Sequence, residues 1–95
     1  MQTYQIVRTS TARTDLKALL TYYTQETSEE FSKEIFFRIW KQVGLLKNFP
    51  EGTRTGRVKE TRELVIQGLP YFVSIIIKED IIFILNIIHT RRKYP

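Results

Sequence analysis

Hydrophobic positions follow one rhythm up to about residue 50 and another beyond residue 62. In the first half Leu16, Leu19, Leu20 and Tyr23 recur at i, i+3, i+4 and i+7. Phe31, Ile35, Ile39 and Leu46 then lie along one helical face, joined by Phe36, Trp40 and Val43. The spacing predicts two amphipathic helices, over about 13–25 and 29–47, broken only at Thr27-Ser28. Hydroxyl oxygens accept the orphan N–H groups of a first turn, so Ser10, Thr11 and Thr14 are each candidate caps for the first helix. Glu29 and Glu30 suit the positive end of the second. So short a break implies an antiparallel helical hairpin. Pro50 ends it, because the residue before a proline is driven out of helical geometry.

Beyond residue 62 the helical period disappears. Three apolar runs, 64–66, 71–77 and 81–88, are rich in Ile, Val and Phe, which fit a pleated, half-buried surface. Gly68-Leu69-Pro70 and Lys78-Glu79-Asp80 separate them, short enough for hairpins, so the pattern predicts a three-stranded antiparallel meander. The last run has almost no polar alternation and reads as a central strand covered on both faces. Residues 4–8 (YQIVR) form a further short strand, with Tyr4 and Ile6 on one side; it joins an edge of the meander or lies beside its last strand. Residues 51–60 (EGTRTGRVKE) show no apolar period and read as a loop. The fold class is α+β, in the order β-α-α-β-β-β, a helical hairpin packed on a small, mainly antiparallel sheet.

Length and composition narrow the picture. Ninety-five residues build one domain, 1–95, with a single modest core. The chain has no cysteine and one histidine, His89, so neither disulfides nor a zinc site is expected, and no metal or cofactor is implied. The opening MQTYQIVRTS lacks the basic and apolar regions of a signal peptide, and no apolar run approaches a membrane span; a cytoplasmic protein is the expectation. The formal net charge is +5. It is concentrated in two segments beside strand ends: Arg54, Arg57, Lys59 and Arg62, with Glu60 the one anion among them, and Arg91, Arg92 and Lys93. Two such segments point to a polyanionic or acidic partner. Neither helix is basic enough to enter a DNA groove.

Several short motifs now fall into register. Ala12-x-x-Asp15-Leu16 opens the first helix. Leu46, Pro50 and Gly52 close the second, Arg62-Glu63-Leu64 starts a strand, and Pro70-Tyr71 starts the next. Ile88-His89 ends the last strand, ahead of Arg91-Arg92-x-Tyr94-Pro95. In this order and spacing, over essentially the whole chain, they resemble the ParE/RelE superfamily of bacterial type II toxins, and the ParE branch more than RelE. The resemblance implies a growth-inhibiting toxin, neutralised by a cognate antitoxin that wraps along its surface and touching operator DNA only through it. ParE-like members poison DNA gyrase and are associated with plasmid stabilisation; RelE-like members cleave mRNA on the ribosome. Fold alone does not choose between these activities.

Under the gyrase reading the toxin is not an enzyme. It needs only binding contacts, for which Arg54, Arg57, Lys59, Arg62, Arg91, Arg92, Lys93 and Tyr94 are the candidates. Under the RNase reading, a metal-independent endonuclease, Arg62 holds the scissile phosphate while His89 and Tyr94 move protons. A third reading is a non-toxic module that only binds the antitoxin. Tyr22, Phe36 and Trp40 exceed what a two-layer domain needs for its core and are candidates for an antitoxin groove. For each residue a plainer role stands beside these: His89 as a structural cap, Arg62 paired with Glu60, the loop cations as a solvated surface.

Overall fold

A computed structural model describes residues 3–92. In order, the chain forms β1 (Gln5–Arg8), α1 (Ser10–Glu26), α2 (Glu29–Gly44), β2 (Arg54–Thr55), β3 (Arg62–Val65), β4 (Tyr71–Lys78) and β5 (Ile81–His89). One 3-10 turn, Leu45–Lys47, extends α2, and a second, Pro50–Gly52, follows it. The sheet order is β1-β5-β4-β3-β2, with β1 parallel to β5 and every other pair antiparallel. The first strand therefore lies beside the last one, and the helical hairpin packs over one face of the sheet.

Three expectations need correction. Helix α1 begins at Ser10, and its cap is Thr9, whose Oγ1 accepts from Ala12 N–H; Ser10, Thr11 and Thr14 do not cap it. Thr9 is fixed there by long-range bonds, since its Oγ1 also donates to the Ile84 carbonyl (2.7 Å). The basic loop is not structureless, because Arg54 and Thr55 pair with Glu63 and Arg62 to add a fifth strand. As expected β5 is an interior strand, paired with β1 and β4, but it is not covered on both faces. Residues 71–75 of β4 are all buried, whereas β5 alternates and leaves Phe83 and Leu85 partly exposed. Its apolar side chains alternate between the helix-side core, which takes Ile82, Ile84 and Ile87, and a face that is only partly covered.

The core lies between the helices and one sheet face. Ala12, Leu16 and Leu19 of α1 and Ile35, Ile39 and Val43 of α2 meet Val73, Ile75, Ile82, Ile84 and Ile87. Ser32 is buried in the helix seam and satisfied by donating to the Leu20 carbonyl (2.9 Å). Ser28 caps α2 by accepting from Phe31 N–H (3.0 Å). Two turns close the meander: Gly68 takes φ +82°, a left-handed conformation that glycine adopts at little cost, and Glu79 takes φ 56° in the two-residue β4–β5 turn.

Strand β1 covers only Ile81 to Ile84 of β5, so the backbone groups beyond are left without a strand partner on that side. The start of α1 supplies one. Asp15 Oδ2 accepts the Ile87 N–H (3.0 Å) and the Asn86 amide (3.3 Å), next to a bulge where β4 pairs Ser74 with Asn86 but Ile75 with Ile84. Here the Ala12-x-x-Asp15-Leu16 motif is explained. Ala12 and Leu16 enter the core, and Asp15 seals the end of the β5 edge.

Candidate functional site

Strand alternation assigns side chains to the two sheet faces. Tyr71 and Val73 point into the helix-side core, so Phe72 and Ser74 point away from it. By register Val65 and Ile88 share the helix-free face with Phe72, and Glu63 and Arg54 share it with Ser74. Phe72 is fully buried, and two cations stand over its ring, Arg57 at 5.1 Å and Arg54 at 5.6 Å from the centroid. Beside them lies a buried carboxylate, Glu63, only 1% exposed. Its Oε1 accepts from Arg54 Nε (3.0 Å) and lies 2.9 Å from Nη2 in an ion pair, and its Oε2 accepts the backbone N–H of Arg57 (3.1 Å). The loop between these groups is tightly folded. Gly56 N–H donates to the Thr61 carbonyl (2.9 Å), and a Cβ on Gly56 would lie 2.8 Å from that same oxygen.

The second cationic segment reaches the same region. Phe72 pairs with Ile88, three residues before Arg91, so Arg54 and Arg57 flank the strand end that Arg91 and Arg92 follow. Both of these arginines are exposed, in a turn fixed through backbone groups: Arg91 N–H donates to His89 Nδ1 (3.1 Å) and Arg92 N–H to the His89 carbonyl (2.9 Å). Lys59 is also exposed. Lys93 and Tyr94 lie outside the described residues.

Arg62 does not join this group. It alternates with Glu63, and its guanidinium is committed to Thr53, with Nε on Oγ1 (2.6 Å) and Nη2 on the carbonyl (2.7 Å). Its partner is Thr53, not Glu60. His89 stands edge-on to Tyr71 (ring centroids 5.2 Å apart). The Tyr71 hydroxyl in turn donates to Tyr23 (3.4 Å). On β4, Arg62 is opposite Ile75 and His89 is opposite Tyr71, on flanking strands. That places their backbones about 16 Å apart, from the rise per residue and the strand spacing. The structure places Arg54 and Arg57 over Phe72, one strand from the end of β5 that Arg91 and Arg92 follow, and keeps Arg62 and His89 apart.

Burial, and next the bond to Tyr23, push the Tyr71 phenol well above its usual range. Unfolded chain therefore loses this proton from about pH 10 upward while the folded protein keeps it, and stability falls as pH rises. We expect a loss of about 1.4 kcal/mol per pH unit from this residue above pH 10. Urea titrations of Tyr71→Phe across pH 9–11 should show a shallower alkaline decline; an unchanged slope would refute the assignment.

Tyr22, Phe36 and Trp40 do not form one patch. Phe36 and Trp40 stand edge to face (6.1 Å), with Arg8 over the indole at 5.0 Å, whereas Tyr22 (56% exposed) packs with Tyr23 near the hairpin tip, where Tyr23 meets Phe31. Beside Arg8 a groove of about 520 Å³ runs along α1, floored by Leu16 and Leu20 and rimmed by Arg8, Arg13 and Lys17. No group of side chains among the described residues is arranged to hold a metal, and no helix there is long and apolar enough to cross a membrane.

Residues 6–94 match the model of the ParE toxin of the type II toxin–antitoxin system parDE. The chain belongs to the ParE toxin family. It is thus the toxin of a type II toxin–antitoxin system. A relative of this chain is a protein of Sinorhizobium fredii, Y4kP, whose name calls it a putative toxin. It is 32% identical over 73 residues, covering 77% of this chain and 75% of that protein. The fold superposes on the chromosomal ParDE system of P. aeruginosa with a TM-score of 0.85 at 24% identity, covering 92% and 96% of the two chains. It superposes on the RelBE2 toxin–antitoxin complex of Mycobacterium tuberculosis with a TM-score of 0.62 at 20% identity, covering 94% and 93%. Two helices on a mixed five-stranded sheet are common to them.

Glu63 and Phe72 escaped the sequence reading as site residues. A signal was present: Glu63 is a carboxylate one residue before Leu64 in a short strand, where solvent exposure is the default assumption and burial requires a partner.

Proposed function

We propose that this toxin inhibits growth by binding and poisoning DNA gyrase, through Arg54, Arg57, Lys59, Arg91 and Arg92, with Lys93 and Tyr94 continuing the same segment. The observation that carries the reading is the division of the polar residues. Arg54 and Arg57 stand over Phe72, one strand from the end of β5 that the exposed Arg91 and Arg92 follow, which supports a shared binding surface. The groups that RNA cleavage would need close to a single phosphate, Arg62 and His89, are about 16 Å apart along the backbone, and each is engaged in a structural bond. A poison needs contacts and no proton-transfer pair. Membership of the ParE family supports the same choice.

The antitoxin is the second partner in this reading. An amphipathic segment carrying acidic residues fits the groove between Arg8, Arg13 and Lys17 and the neighbouring Phe36–Trp40 surface, with Leu16 and Leu20 taking its apolar side. None of these three cations has an acidic partner among the described residues.

Purified toxin, freed from its antitoxin and refolded, is to be incubated with gyrase, ATP and supercoiled plasmid, followed by detergent and protease. Linear DNA should accumulate with toxin concentration. Its absence, from toxin that is folded and binds antitoxin, would overturn the gyrase assignment and turn attention to RNA cleavage on the ribosome.

A further inference from the structure

We propose that Glu63 is a positioning residue: its buried carboxylate holds Arg54 and Arg57 over the Phe72 ring so that the two guanidinium groups meet the target as one unit. The inference rests on the reading that these cations contact the target. It adds how they are held there and which residue, itself unable to reach the target, does so.

The geometry makes the case. Two guanidinium groups near one ring repel each other, and long exposed arginine side chains lose rotamer freedom when fixed. Glu63 offsets both effects from beneath. Through Oε1 it accepts one hydrogen bond from Arg54 Nε and forms an ion pair with Nη2, and through Oε2 it takes the Arg57 amide, which fixes the backbone from which that side chain leaves. The loop is closed behind it by Gly56 and Thr61. Glu63 is 1% exposed and cannot itself reach a target, and the exposed Arg57, Lys59, Arg91 and Arg92 keep the net charge of this surface positive after the Arg54–Glu63 pair is counted. For stability alone an apolar side chain at a buried strand position does as well or better than a buried ion pair. What the carboxylate adds is a fixed pair of cations, whose ordering is complete before the target binds.

Glu63→Gln tests this, because it preserves shape while its amide N–H₂ can no longer accept from both Arg54 and the Arg57 N–H. Growth inhibition is measured against titrated toxin expression for Glu63→Gln, Arg54→Ala, Arg57→Ala and the Glu63→Gln/Arg54→Ala pair. Thermal midpoints and antitoxin co-purification are recorded for each. We expect about tenfold more toxin to be needed for Glu63→Gln, with antitoxin binding unchanged and the midpoint lowered by about 5–15 °C, because one buried donor is left unsatisfied. The double variant should be no worse than Arg54→Ala by more than about threefold, since Glu63 acts through the arginines. Full potency in Glu63→Gln while Arg54→Ala is impaired would overturn the positioning role and leave the cation surface standing. So would a loss that tracks the midpoint and antitoxin binding together. Full potency in both Arg54→Ala and Arg57→Ala would instead remove the loop cations from the target surface, and the proposal with them.

Discussion

Glutamate at both Arg91 and Arg92 is expected to abolish growth inhibition without unfolding the protein. The turn that carries these residues is fixed by their backbone N–H groups on His89, and both side chains are exposed, so their replacement costs the fold little, within about 0.5 kcal/mol per site. At a cationic binding surface the change is much larger. Two attractive contacts become two repulsive ones beside Arg54 and Arg57, and like-charge juxtaposition across an interface costs several kcal/mol. At least about 100-fold more toxin should then be needed for the same inhibition. The measurement is growth against titrated expression, with antitoxin co-purification as the control for folding. Wild-type potency in a folded double variant would exclude the C-terminal turn from the target surface.

Outside the apolar core, a large loss of stability is expected at Asp15. Alanine there removes the acceptor of the Ile87 N–H and the Asn86 amide together, at the point where β5 has no strand partner beyond Ile84. A hydrogen bond to a charged group is worth about 1.5–3 kcal/mol, and an amide left unsatisfied adds its own desolvation cost. We expect Asp15→Ala to destabilise by about 2–4 kcal/mol, which for a domain of this size lowers the thermal midpoint by roughly 10–25 °C. Asp15→Asn keeps one acceptor oxygen and should cost about half as much. Denaturant unfolding gives the energies, and amide exchange at Ile87 locates them. A loss below about 0.5 kcal/mol in the alanine variant would mean that water replaces the carboxylate at this edge.

Periodicity carried most of the fold, and the reason is local. The i, i+3, i+4, i+7 series in α1 and the wide stripe of α2 reflect faces turned to the core: Leu16, Leu19, Ile35, Ile39, Val43 and Leu46 are buried and Leu20, Tyr23 and Trp40 half-buried, whereas Phe31 and Phe36 at the margins of the stripe are exposed. The same logic failed where a residue's surroundings come from far along the chain. Thr9 was passed over as a cap because what fixes it is the carbonyl of Ile84, 75 residues away. Arg54 and Thr55 read as loop because a two-residue strand has no period; only their pairing with β3 makes them one.

The candidate site divides in the same way. Charge clustering marked Arg54, Arg57, Arg91 and Arg92, since like charges adjacent in sequence are adjacent in space whatever the fold. Their placement one strand apart was not legible, because it depends on the register that sets Phe72 against Ile88. Nor was the separation of Arg62 from His89, which follows from which residues of β4 they face.

What composition and short-range spacing determined by themselves was the two helices, the four longer strands, the two-layer class and the residues able to carry charge to a partner; the family came from the resemblance of its motifs. Only the tertiary structure decided that Glu63 is buried between two arginines, that Arg62 is bound to Thr53, and that β1 lies parallel to β5 with Asp15 completing its edge. Each of these is a long-range pairing, and a side chain's role there depends on the partner that folding brings to it.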